Sequence, residues 1–486
     1  MKRALLALLL VLLTMVPVGA GIPDRTAPPR PGLPPDLKMP PVLKRQLPNG
    51  IPVWFVQRKK VPLVSVNLLF RAGAMQDPVG KAGLASFTTA CLDEGAGARD
   101  SLEFADAVDM LGADLSANCS FDGTVVGLEV PTARLEPALD LMADMVLRPR
   151  FAQADIERLR ARFLTSFLQM RMDPPSLANA AFLRAIYGEH YRYGTSSSGT
   201  AAQFAGLTRQ DLLDFHRQLC HPALASFVVT GDVEPDRAMK ILGARFGSWT
   251  TSSPALSDVP TRAVPARGRG IFLVDRPDSP QSVLRVGMVG VDRATPDFFP
   301  LQILNTVLGG SFTSRLNQNL RERNGFTYGA SSNFAMRRAP GPFLVSTSVQ
   351  ADKTGAALAE ILSELEAIRQ PIPEPELEKA RSYAAYSFPG EFETCTDLAA
   401  QVLEMQLYGL PDSYFSDYVG RLLEVDAAAT ARAATRALAP EAMALVVVGD
   451  ARVVTPQLEA LGLGPVRVLE VEEFLGPAIQ IPSAQP

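Results

Sequence analysis

A chain of 486 residues with 47% hydrophobic composition and a formal charge of −4 can bury a large core, and at roughly 150 residues per domain it implies two to four domains. Its charges are well mixed, with no basic block and no interleaving of basic and aromatic residues, so nucleic-acid binding is not expected. Cys91, Cys119, Cys220 and Cys395 form no C-x-x-C pair, which argues against a zinc knuckle or a redox motif. Free buried thiols are expected, and an oxidising compartment would leave a Cys91–Cys119 bridge open.

Residues 1–20, MKRALLALLLVLLTMVPVGA, place Lys2 and Arg3 before an apolar run and end in Val18-Gly19-Ala20. That is the pattern of a cleaved secretory signal peptide. Pro17 ends the run short of the roughly 20 residues a membrane span needs. Cleavage would remove two cations and no acid, taking the formal charge from −4 down by two to −6. The mature chain is therefore expected to be periplasmic or secreted, with no membrane span. Residues 21–45 are too rich in proline for helix and read as a semi-rigid leader.

In LPNGIPVWFVQ a turn at Pro48-Asn49-Gly50 precedes an alternating strand, and PLVSVNLLFRAGA gives a second. Together they read as a hairpin opening a first domain. In GLASFTTACLDEG, residues 83–95, Leu84, Phe87 and Cys91 recur at helical spacing, and the opposite face offers only Ser86, Thr89 and Ala90. His190 lies in the loop GEHYRYGTSSSG. His216 and His221 are five apart, which is the wrong spacing for a metal pair on one helix face.

No nucleophile elbow, phosphate-binding loop or dinucleotide fingerprint occurs. Gly309-Gly310 in LGGSFTSRL could form an anion nest, but a plain helix start capped by Ser311 is the simpler expectation. In NQNLRERNGFTYGASSNF, Phe312, Leu316 and Leu320 mark the buried side of a helix, Gly325 stops it, and Phe326, Tyr328 and Ala330 alternate as a strand. Arg321 and Tyr328 are thus brought near each other as two donors suited to a carbonyl or a developing oxyanion. The competing reading is an arginine favoured by the helix dipole and a tyrosine filling the core.

Two markers repeat at one spacing. The buried strand ending in Gly231-Asp232 recurs at Gly449-Asp450, and Pro78 recurs at Pro296, both 218 residues on. This argues for duplication. It gives one unit over 46–248, a linker rich in serine and proline over 249–268, a second unit over 269–462, and a loose tail over 463–486. Interleaved strands and helices with a tight opening hairpin make each unit an α+β sandwich, its mixed sheet carrying helices over one face.

LPNGIPV, RAGAMQDPVGKAGLASF, HYRYG followed by Gly199, FVVTGD, LGGSFTSRLNQNLRERNGFTYG and LVVVGD occur in this order over nearly the whole mature chain. In them the chain resembles the pitrilysin/insulinase family of zinc peptidases, which includes the mitochondrial processing peptidases. The resemblance implies two homologous domains of the processing-peptidase type. The family's metal motif is H-x-x-E-H on a helix, and its positions fall here on Ser86, Thr89 and Ala90. The third ligand, a glutamate on a later helix, falls on Ser166.

No zinc is therefore expected on this chain. The family's substrate-binding arginine and tyrosine, seven apart in the C-terminal half, match Arg321 and Tyr328. Some bacterial members divide the metal motif and this pair between two chains. The resemblance thus implies a non-catalytic subunit that gives Arg321 and Tyr328 to a zinc-bearing H-x-x-E-H partner in a heterodimer, the two enclosing peptide substrates. The alternative is a structural or peptide-binding protein of the same fold with no part in proteolysis.

Overall fold

The computed structural model describes residue 32 and residues 39–252, 254–257 and 269–479. The predicted signal peptide, most of the leader and most of the linker lie outside these. Residues 36–486 form a single unit built on two six-stranded mixed sheets.

The first sheet contains β1 (Leu43–Gln46), β2 (Pro52–Gln57), β3 (Leu63–Phe70), β4 (Asp114–Cys119), β5 (Thr124–Pro131) and β6 (Ala225–Gly231). Its spatial order is β1-β2-β6-β3-β5-β4. The second contains β7 (Gly270–Asp275), β8 (Gln281–Val289), β9 (Ala330–Phe334), β10 (Pro342–Gln350), β11 (Ala444–Gly449) and β12 (Val466–Val468), ordered β12-β7-β11-β8-β10-β9. The two orders are the same from the second strand inward. Register repeats as well: Phe55 pairs with Val229 in the first sheet and Leu273 with Val447 in the second, each member displaced by the 218 residues seen in the sequence.

The expected opening hairpin is not formed by β2 and β3. Strand β6 lies between them, parallel to β2 and antiparallel to β3. The tight turn at Gly50, whose φ of +88° suits glycine, joins β1 to β2 instead. Strand β1 thus begins at Leu43, inside the segment read as leader. The segment read as a loose tail supplies β12 and a helix at Val471–Leu475, with Leu469 and Phe474 buried.

Alternation within the central strands shows why they read as continuous apolar runs. In β6, Phe227 and Val229 face the core of the first half, whereas Val228 and, on β2, Val56 face the other way and pack with Leu398, Val402 and Met405. Those three belong to the helix Cys395–Tyr408, in the second half of the chain. The arrangement is reciprocal. Leu177, Ala181 and Phe182 of the helix Pro174–Tyr187 pack on Val283, Val446 and Val448 of the second sheet. Each half covers one face of its sheet with its own helices and the other with a helix from its counterpart.

His216 has a structural role, with Nε2 2.9 Å from Val146 O and the ring edge-on to Phe151. Burial pushes its imidazole down to about 4, from an ordinary 6.5. The unfolded chain therefore takes up a proton first as pH falls. Stability is complete above about pH 6.5 and declines as pH drops toward 4, by about 3 kcal/mol in total. In His216→Gln, urea denaturation at pH 7, 5.5 and 4 is expected to show a shallower loss than the parent by that order.

Candidate functional site

The helix Leu84–Ala90 is clamped at its start. Gly83 has φ +98° and Gly199 has φ +74°. A Cβ on Gly83 would stand 2.3 Å from Ser198 O, and one on Gly199 2.1 Å from Ala82 O, so only glycines permit the loop Ser196–Gly199 to cross here. Asp77 accepts from Gly83 N at 2.8 Å and Ala85 N at 2.7 Å, which sets a carboxylate on the helix N-terminus. Phe87 packs against Phe163 and Phe204, fixing the helix to Gln153–Met172 and Ala201–Ala205.

On this rigid support the three motif positions carry no metal chemistry. Ser86 donates its hydroxyl to Ser197 O at 3.0 Å. Thr89 is 2% exposed, and a buried neutral hydroxyl cannot be the base that activates water. Ala90 offers a methyl. Ser166 is exposed and donates to Phe163 O in its own helix at 2.7 Å. Glu94, one turn on, is ion-paired to Arg158. Among the described residues no group of three or more His, Cys, Asp or Glu could hold a metal ion. Two hydroxyls and a methyl in place of two imidazoles and a carboxylate do not fit zinc. The four cysteines are free.

The second candidate region is built around Arg315–Arg323, an α-helical turn that widens into a π-helical one at Gln318, where Asn324 N donates to Asn319 O five residues back. Ser314 begins this helix. Ser311 instead closes the preceding one, donating to Thr306 O, and Gly309 is required by its approach to Ser332 on β9, not by an anion. Gly325 stops the helix with φ +64°, and Phe326 N donates to Leu320 O at 2.8 Å. Leu316 and Leu320 are buried as expected, but Phe312 precedes the helix and is 68% exposed. The strand begins only at Ala330, so Tyr328 sits in the turn before it.

Asn317, which no sequence motif marks, ties these pieces together. Its Nδ2 donates to Ala330 O at 2.9 Å and its Oδ1 accepts from Ala330 N at 2.9 Å, so one buried amide stands in for a missing strand partner. Asn317→Ala would leave both backbone groups unpaired and is expected to lower stability by about 1–3 kcal/mol, read from the urea midpoint. The signal was an asparagine at a helical position whose neighbours Leu316 and Leu320 demand burial.

Tyr328 is 94% exposed and so does not fill the core. Arg321 lies over the Phe312 ring, with Cζ 4.4 Å from its centroid, and its Nε is 3.3 Å from Glu322. The two side chains make no hydrogen bond to one another, and both are open to an incoming group. Cavities of about 760 and 710 Å3 lie elsewhere, against the helix Cys395–Tyr408, and neither is lined by Ser86, Thr89, Arg321 or Tyr328.

Residues 53–196 match the family model of insulinase, peptidase family M16, and residues 206–383 match that of the peptidase M16 inactive domain. An uncharacterised zinc protease of Mycobacterium leprae is 29% identical over 289 residues, 59% of this chain and 64% of that protein; the match thus spans just under two thirds of that relative. One from Rickettsia bellii is 23% identical over 338 residues, 69% of this chain and 80% of the relative. Among solved structures, a peptidase M16 inactive domain from Pseudomonas fluorescens superposes with a TM-score of 0.79 at 28% identity, covering 84% of this chain and 98% of that one. A protease from Helicobacter pylori, at 19% identity, shows the same fold with a TM-score of 0.79 over 85% of this chain and 100% of its own. With the two matching sheets and a motif helix that has no ligands, these findings place the chain in the insulinase (M16) peptidase family as a member of the non-catalytic type.

Proposed function

We propose that this chain is an exported, zinc-free subunit of a two-chain metallopeptidase of the bacterial envelope. It forms half of a chamber that encloses peptides and presents Arg321 and Tyr328 to the scissile carbonyl. The observation that carries this reading is the condition of the pair: Tyr328 is 94% exposed and Arg321 has unpaired donors, so neither has the structural duty that would otherwise account for it. A guanidinium and a phenol so placed would donate hydrogen bonds to a peptide oxygen as it gains negative charge. Activation of water would belong to the partner chain, because the positions for it here hold Ser86, Thr89 and Ala90.

The test is an affinity pull-down of the tagged mature chain from its native envelope fraction, with mass spectrometry and zinc analysis of the eluate. A near-stoichiometric second chain that contains H-x-x-E-H and carries zinc is the expected result. Recovery of a zinc-free homodimer, or of unrelated envelope proteins alone, would overturn the reading in favour of a structural or peptide-binding role.

A further inference from the structure

Two arginines six residues apart on one short helix are held in opposite ways. Arg315 is gripped by Glu376 through both prongs of its fork, Nε to Oε1 at 2.8 Å and Nη2 to Oε2 at 2.6 Å. Such a bidentate pair engages the in-plane N–H groups and leaves few for a ligand. Arg321 has no such partner. Its Nε approaches only its sequence neighbour Glu322, at 3.3 Å, while its Cζ lies over the face of the Phe312 ring, 4.4 Å from the ring centre. An aromatic ring attracts the cation through its face, and the donors of a guanidinium lie in its plane. A ring can therefore fix where the group sits without engaging a single N–H.

Phe312 itself has no other evident task. It is 68% exposed and stands outside the hydrophobic cores that hold Leu316 and Leu320. A large aromatic left in solvent beside a half-exposed arginine needs a reason, and the cation–π contact supplies one.

We propose that Phe312 is a positioning residue for Arg321, an aromatic rest that orients the guanidinium while keeping its hydrogen-bonding edge free for a peptide carbonyl. This inference rests on the role proposed above for Arg321. It predicts that the quality required at position 312 is the π face, not bulk or hydrophobicity. Tyrosine or tryptophan should serve, whereas leucine, similar in apolar character but without a ring, should not.

The experiment compares Phe312→Leu, Phe312→Tyr and Arg321→Ala in the complex recovered from the native envelope, using a quenched fluorescent peptide as substrate. Because an exposed cation–π contact is weak, Phe312→Leu is expected to lower kcat about two- to fivefold with KM nearly unchanged, and Phe312→Tyr to restore it. The thermal midpoint of the isolated chain should not move in either, since the ring is outside the core. A second measurement needs no partner: phenylglyoxal modification of the isolated chain, mapped by mass spectrometry, should label Arg321 about two- to fivefold faster in Phe312→Leu than in Phe312→Tyr. If Arg321→Ala lowers turnover while Phe312→Leu matches the parent in both measurements, the positioning role is wrong and the role of Arg321 stands. If Arg321→Ala itself changes nothing, the proposed function fails and this inference fails with it.

Discussion

Replacing Arg321 by alanine is expected to lower the turnover of the proposed peptidase complex about 10²- to 10³-fold, the usual cost of losing one donor to a developing oxyanion. Tyr328→Phe, which deletes only a hydroxyl, is expected to cost the same order. Neither change should harm folding. Tyr328 is 94% exposed, and the turn that carries it is held by other groups: Asn317 across to Ala330, Thr327 Oγ1 to Gly329 O and Thr347 Oγ1 to Gly329 O. Loss of an interaction made only in the transition state should appear in kcat, with KM little changed. Steady-state kinetics of the recovered complex with a quenched peptide would measure this, and normal kcat in both variants would remove the pair from the mechanism.

Asp77→Ala is expected to destabilise the chain by about 3–5 kcal/mol, the range for removing one partner of a buried ion pair. The Asp77 side chain is fully covered and that of Arg192 is 12% exposed, with Nη2 to Oδ2 at 2.8 Å. Burial pushes the Asp77 carboxyl up, while Arg192 and the N–H groups of Ala85 and Gly83 pull it back. Arg192 also donates to Thr195 Oγ1, Ser196 O and Ser197 O, the loop that crosses Gly83. Alanine would leave a buried cation, two unpaired N–H groups and a loosened loop. The measurement is the urea midpoint at constant m-value. A shift worth less than about 1 kcal/mol would mean that water replaces the carboxylate, as at a surface pair.

What the sequence disclosed and what it hid follow from the range of the interactions involved. Gly231 and Gly449 could be matched because each ends a strand buried on both faces, and such strands read as uninterrupted apolar runs. The place of β6 between β2 and β3 was hidden, since a pairing across more than 150 residues leaves no local trace. Arg321 and Tyr328 were picked out by their spacing and by resemblance. Their surroundings were not: three alternating residues from Phe326 to Ala330 are too few to tell a strand from a turn closed by threonine hydroxyls. Periodicity puts Phe312 on a buried helix face because it cannot see that the helix starts two residues later, at Ser314. Leu469 and Phe474 lie in a stretch with no periodic signal of its own, yet they pack against the helix Pro174–Tyr187.

The exchange of covering helices between the halves bears on how the chain is made. Synthesis delivers β1 to β6 long before the helix Cys395–Tyr408, so Val56 and Val228 have no cover until nearly the whole protein exists. The N-terminal half is then an unfinished intermediate with an apolar sheet face exposed, the kind of species that aggregates or recruits a holdase. A chain truncated after residue 248 would remain in that condition. Passage through a membrane in an extended state, with folding only on the far side, would let both helices reach their sheets in a single event.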